Sequence, residues 1–281
     1  MRWLGGRESD NVDDRRGSSG GGGLLVGGGI GSVVIAVIVM LLGGNPSDIL
    51  SSSSQEAAPV NQQADDAAAQ FTKRTLASTE DVWTKIFAEQ GKQYRKPVLV
   101  MFRGATTSGC GTAQKAMGPF YCPLDQKVYI DLSFYDDLRE RFDAPGDFAM
   151  AYVIAHEIGH HVQKQLGIME QTDALRQRMS EREYNRVSVR LELQADFFAG
   201  VWAHHAQGQT ISIDKNDVES AITAANAIGD DRIQEETQGT VVPDAFTHGT
   251  SAQRVYWFSK GLKTGDLNQG DTFNSREDAN L

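Results

Sequence analysis

AYVIAHEIGHHVQ, Ala151–Gln163, is the stretch on which the reading turns. Met150, Val153, Ile154 and Ile158 recur at helical spacing, Asp147 stands where an N-cap would, and Gly167 stops the run. The segment therefore reads as one helix from Asp147 to Leu166. Residues four apart share a helix face, so His156 and His160 can turn two imidazoles toward one ion. Glu157 lies on the flank of that face, where a carboxylate reaches a water on the ion without ligating it, as a general base does. His161 is rotated about 100° off the face and reads as packing or solvent-facing.

A catalytic zinc takes three protein ligands. The third candidate sits in a second helix, roughly Glu181–Gln207, with Gly208 after it. In RLELQADFFAGVW (Arg190–Trp202), Leu191, Leu193, Ala195, Phe197, Phe198 and Ala199 surround Glu192 and Asp196 with apolar side chains. Carboxylates in such a setting need partners. Glu192 is the expected ligand, and Asp196, one turn later, is expected to accept the free N–H of a ligating histidine and fix its tautomer. A metzincin would carry Gly and His where this chain has Gln163 and Leu166, so that class is excluded. His204 and His205 lie two or more turns past Asp196 and read as surface residues. His248 stands just before a last helix near Ser251–Leu262 that carries Arg254 and Tyr256. An oxyanion formed on zinc benefits from a second donor, which His248, Arg254 or Tyr256 could supply. His248 is the first candidate; the plainer alternative is a capping role for Thr247 or Ser251 and an ion pair for Arg254.

The chain has 281 residues, 40% hydrophobic and 23% charged, enough to bury a sizeable core. Lys and Arg number 27 against 37 Asp and Glu, net −10, with no basic cluster, so no nucleic-acid partner is expected. Two cysteines exclude a disulfide scaffold, a four-cysteine iron–sulfur cluster and an all-cysteine zinc site. Ser78 or Thr79 would cap a helix with Val82, Trp83, Ile86 and Phe87 on one face; Pro97–Phe102 and Lys127–Leu132 read as short strands; another helix runs from Asp214 to about Ile228. The expected fold is α+β, mainly helical, with a small sheet, over residues 65–264, followed by a tail at 265–281. The strand at Lys127–Leu132 is a candidate edge for an extended substrate.

The N-terminus is built differently. Met1–Arg16 mixes arginines with acids and reads as disordered, and residues 1–23 as a cytoplasmic N-terminus. No charged residue lies between Gly17 and Ser47, and LLVGGGIGSVVIAVIVMLL (Leu24–Leu42) is close to the roughly 20 residues that span a bilayer as a helix. A cleaved signal peptide usually has a shorter apolar core and a small-residue cleavage site, which Gly43-Gly44-Asn45-Pro46 does not make. An uncleaved transmembrane helix is expected at 24–42, with a polar linker at 43–64. Arg2, Arg7, Arg15 and Arg16 precede the span and no Lys or Arg follows until Lys73, which places the N-terminus in the cytoplasm and the domain outside. Gly23, Gly27 and Gly31 could pack a second copy of the span, or simply reflect a Gly-rich segment.

Taken together with SGCG (Ser108–Gly111), GPFYCPLDQKVYIDLSF (Gly118–Phe134), GDDRIQ (Gly229–Gln234) and THGTSAQRVYWF (Thr247–Phe258), these motifs resemble those of a bacterial, membrane-anchored family of neutral zinc metallopeptidases, the YpfJ-like proteins. The resemblance covers almost the whole chain. It implies a zincin-like domain of the glutamate-zincin type in the bacterial inner membrane, Zn2+ on His156, His160 and Glu192, and peptide or protein substrates. The rival is a zinc-dependent binding or scaffold protein with little turnover, which would have no use for Glu157 as a base. If the domain is extracytoplasmic, Cys110 and Cys122 face an oxidising compartment and can pair; otherwise they are two buried thiols.

Overall fold

In the computed structural model, residues 1–4, 6–17, 62–140, 144, 147–231, 234 and 240–277 are described. The N-terminal half contributes β1 (Arg2–Trp3), β2 (Val12–Asp14), α1 (Gln62–Glu89), β3 (Val98–Phe102), β4 (Ala105–Ser108), β5 (Gly111–Gln114), β6 (Phe120–Cys122), β7 (Lys127–Asp131) and α2 (Phe134–Glu140). Then follow α3 (Asp147–Gln165), α4 (Ile168–Arg176), α5 (Glu181–Ala206), β8 (Ile211–Ser212), α6 (Lys215–Ala227) and α7 (Ser251–Thr264). The architecture is α+β and mainly helical.

One sheet has the order β2-β3-β7-β6, with β2, β3 and β7 parallel and β6 antiparallel to β7. The apolar run of β3, Val98–Phe102, suits an interior parallel strand. Strand β7 is interior as well, so it offers no free edge; β6 is the edge on that side. The β4–β5 hairpin is tied to β6 by a Cys110–Cys122 disulfide, S–S 2.06 Å.

Helix α3 is buried from Phe148 to Gln163 and runs through the centre of the helical layer, against α1, α5 and α6. Two crossings are close because glycine permits them. A Cβ at Gly159 would stand 2.9 Å from the carbonyl oxygen of Ala195, so α3 and α5 touch backbone to backbone between the two chemical motifs. Gly200 on α5 and Gly261 on α7 meet in the same way, each leaving no room for a Cβ against the other helix's backbone. Trp83, Phe198 and Trp202 fill the core between α1 and α5.

Three expectations are corrected. Helix α1 begins at Gln62, and Ser78 and Thr79 lie mid-helix. Their hydroxyls do not cap: Ser78 pairs with Thr210 and accepts from the Trp202 indole, while Thr79 donates back to Leu76 O at 2.7 Å. Residues 265–277 are part of the domain: Thr272 is fully buried and donates to Arg190 O, and Gln194 donates to Gly270 O. Met1–Arg16 is folded, because its charges have partners. Strand β2 pairs with β3, β1 with β8, Arg7 with buried Glu80, and Arg16 with Asp65.

Strand β2 hydrogen-bonds directly to β3 of the domain. Among the described residues no helix is long and apolar enough to cross a membrane. The expected span 24–42, the Gly23, Gly27 and Gly31 repeat and the linker to residue 61 lie outside them.

Candidate metal centre

Helices α3 and α5 bring His156, His160 and Glu192 together, with one ligand atom from each within 4.8 Å of the others. His156 Nε2 is 3.1 Å from Glu192 Oε2, and His160 Nε2 is 3.4 Å from Glu192 Oε1. Each ring is braced at its other nitrogen. His156 Nδ1 donates to Asp196 Oδ1 at 2.8 Å, and His160 Nδ1 to Gln163 Oε1 at 2.9 Å. Gln163 is held in turn by its own donation to Leu191 O at 2.7 Å and Gln194 Oε1 at 3.1 Å. A histidine whose Nδ1 carries the proton has Nε2 free as a lone-pair donor. Two such nitrogens and a carboxylate, buried and convergent, fit Zn2+ in the three-ligand set of catalytic sites; Ca2+ or Mg2+ would call for oxygens.

Asp196 is fully buried and saturated. Besides His156 it accepts from Tyr152 Oη at 2.6 Å, Arg254 Nε at 2.9 Å and Arg254 Nη2 at 3.0 Å. Burial alone would raise its carboxyl, but the charges of Arg254 and His156 outweigh burial and hold it below the ordinary range. Glu157, also buried, goes the other way. Burial pushes it up, and the charges of His156 and His160 with a hydrogen bond from the Tyr121 backbone pull it only partly back.

His248 approaches from the α7 side. Gly249, with φ 90°, packs its backbone on Val189 and Leu193, which flank Glu192 on α5. The His248 Nδ1 is 3.1 Å from Asp230 Oδ1. Burial would lower this imidazole; the charge and hydrogen bond of Asp230, and the charge of Glu192, outweigh it and raise it.

The other candidates fall elsewhere. Arg254 is spent on Asp196, Ile228 O and Tyr152, behind the ligands. Tyr256 donates to Glu277 at the surface. His161 is buried, accepting from Tyr121 Oη and donating to Arg95 O, and burial depresses it to about 4. His204 and His205 bond the carbonyls of Leu262 and Gly265. Three partners of the site escape the sequence reading: Tyr152, Gln163 and Asp230. Tyr152 and Gln163 had a signal in their spacing of four and three from the histidines on the same face. Asp230 had none, since only folding brings it to His248.

Residues 1–273 match the family described as "Putative neutral zinc metallopeptidase". "Uncharacterized protein YpfJ" of Escherichia coli K12 is 51% identical over 97% of this chain and 99% of its own length. "Uncharacterized protein Rv2575" of Mycobacterium tuberculosis is 39% identical over 71% of this chain and 69% of its own. No solved structure matches. With a family match over nearly its full length and a donor set of two histidines and a glutamate, the chain belongs to the neutral zinc metallopeptidase family, and its cofactor is Zn2+.

Proposed function

We propose that the protein hydrolyses peptide bonds, with Glu157 as general base and His156, His160 and Glu192 holding the metal. The observation that carries this reading is the buried cluster of three ligands with Glu157 beside it and outside the ligand set. Zn2+ bound there supplies a Lewis acid that polarises the scissile carbonyl and acidifies water. Glu157 takes the proton of the attacking water and delivers it to the leaving amine. Asp196 and Gln163 hold the two imidazoles in the ligating tautomer. His248 donates from Nε2 to the carbonyl oxygen as negative charge develops on it. An extended substrate pairs with the free edge of β6, replacing the interior strand β7 in that role. Strand β6 packs against α3, the helix that carries Glu157, so a peptide on that edge lies near the base.

The disulfide supports an extracytoplasmic site of action, with the N-terminal strands on the same side as the domain. Membrane contact is proposed through residues 24–42, on composition alone.

The test is zinc per chain and peptidase rate for purified wild type, Glu157→Gln and Glu192→Ala. Glu157→Gln is expected to keep stoichiometric zinc and lose turnover; Glu192→Ala is expected to lose most of its zinc. Full activity in Glu157→Gln would exclude the general-base role, and wild-type zinc affinity in Glu192→Ala would place the third ligand elsewhere.

A further inference from the structure

Asp230 is a fully buried carboxylate with no part in the scheme so far. Its Oδ2 accepts three successive backbone N–H groups, from Thr247 at 2.7 Å, His248 at 2.5 Å and Gly249 at 3.0 Å. These bonds fix the loop that carries His248. The Oδ1 atom goes to the ring itself, 3.1 Å from Nδ1, where Thr247 Oγ1 also stands at 3.0 Å. A ring pinned at Nδ1 by a carboxylate keeps its proton there and can carry a second on Nε2. Among the described residues Nε2 has no hydrogen-bond partner, and the side chain is 23% exposed. The ring is thus oriented at one nitrogen and open at the other, and the next residue, Gly249, lies against Val189 and Leu193, which flank Glu192.

We propose that Asp230 is a positioning residue for the peptidase reaction: it fixes the loop and the ring of His248, so that Nε2–H is held ready to donate to the scissile carbonyl oxygen. This rests on the peptidase reading. The charged groups that act on His248 are Asp230, Glu192 on α5 and Arg254 on α7. The two carboxylates favour the imidazolium and Arg254 opposes it.

The experiment uses the zinc-loaded full chain as wild type, Asp230→Asn, His248→Gln and the double variant. Steady-state rates on a peptide substrate are measured against pH, and the His248 imidazole is titrated by NMR. Removing one oxyanion donor costs about 10²–10³ in kcat. His248→Gln is expected in that range with KM little changed, Asp230→Asn to lose about tenfold or more, and the double variant to lose no more than His248→Gln. In Asp230→Asn the His248 titration read by NMR, and any alkaline limb of activity it sets, move to lower pH than in wild type. A His248→Gln enzyme with wild-type kcat, or losses that multiply in the double variant, overturns the proposal while leaving the peptidase reading intact. If no peptide is hydrolysed but His248 titrates high and drops in Asp230→Asn, the peptidase reading fails and the pairing stands. Should Asp230→Asn not fold, wild type and His248→Gln decide: a wild-type His248 whose Nδ1 shows no hydrogen-bonded proton by NMR overturns the pairing.

Discussion

Replacing Arg254 with Met removes the cation that keeps Asp196 charged behind the metal ligand. The guanidinium is 2% exposed, bonds both oxygens of Asp196 and donates to Ile228 O at 3.2 Å. Without it, Asp196 keeps only Tyr152 and His156 as partners in a site closed to water. Breaking a buried ion pair by removing one partner costs about 3–5 kcal/mol, chiefly through the charge left behind. The remaining bonds and a metal on His156 soften the loss, so about 3 kcal/mol is expected. In a domain of 150–250 residues, each kcal/mol shifts Tm by about 2–4 °C, which gives a fall of about 6–12 °C. Zinc affinity should fall by about 10–100-fold, as it does when the group orienting a ligand is disturbed. Thermal melts with and without zinc, and competition with a chelator of known affinity, read the two effects. The double variant Asp196→Asn/Arg254→Met has no stranded charge and should recover part of the stability but not the zinc affinity. An Arg254→Met protein that melts within about 2 °C of wild type and binds zinc normally would refute the reasoning.

Gly159→Ala forces a Cβ against the Ala195 backbone, and should separate α3 from α5, reducing zinc per chain although no ligand is changed; unchanged zinc content would show that the crossing is slack. Gly200→Ala meets the α7 backbone and should cost several kcal/mol of stability, measured by denaturant titration, with zinc ligands untouched. His161 sets a pH dependence: depressed to about 4 when folded against about 6.5 unfolded, it binds fewer protons in the native state. Stability is therefore lost as pH falls from about 6.5 to about 4, by about 3 kcal/mol. His161→Phe should flatten that slope relative to wild type; parallel slopes would assign the acid sensitivity elsewhere. Reporters fused before Met1 and after residue 281 should register the same side of the membrane, and opposite sides would contradict the β2–β3 pairing.

The sequence by itself determined which of the candidate side chains share a helix face. The four-residue spacing of His156 and His160, and of Glu192 and Asp196, is local geometry that any α-helix imposes, and the apolar neighbours of the two carboxylates announced that they needed partners. Mainly helical α+β content was legible for the same reason, since periodicity is a property of short windows. Tertiary structure decided what each of those residues faces. Between the two roles open to Arg254, donor to substrate or ion pair, the fold chose the pair with Asp196, because the close passage of α7 over α5 at Gly200 and Gly261 carries it behind the ligands. Asp230 meets His248 only because the chain doubles back beside α7. The N-terminal residues, rich in charge and without apolar alternation, gave no local sign of a strand; their pairing depends on β3 and on acids such as Glu80 and Asp65, whose positions are set by elements far along the chain. The rim of the sheet likewise turned on strand order: β7 carries the stronger strand pattern, but β6 occupies the rim and leaves β7 enclosed.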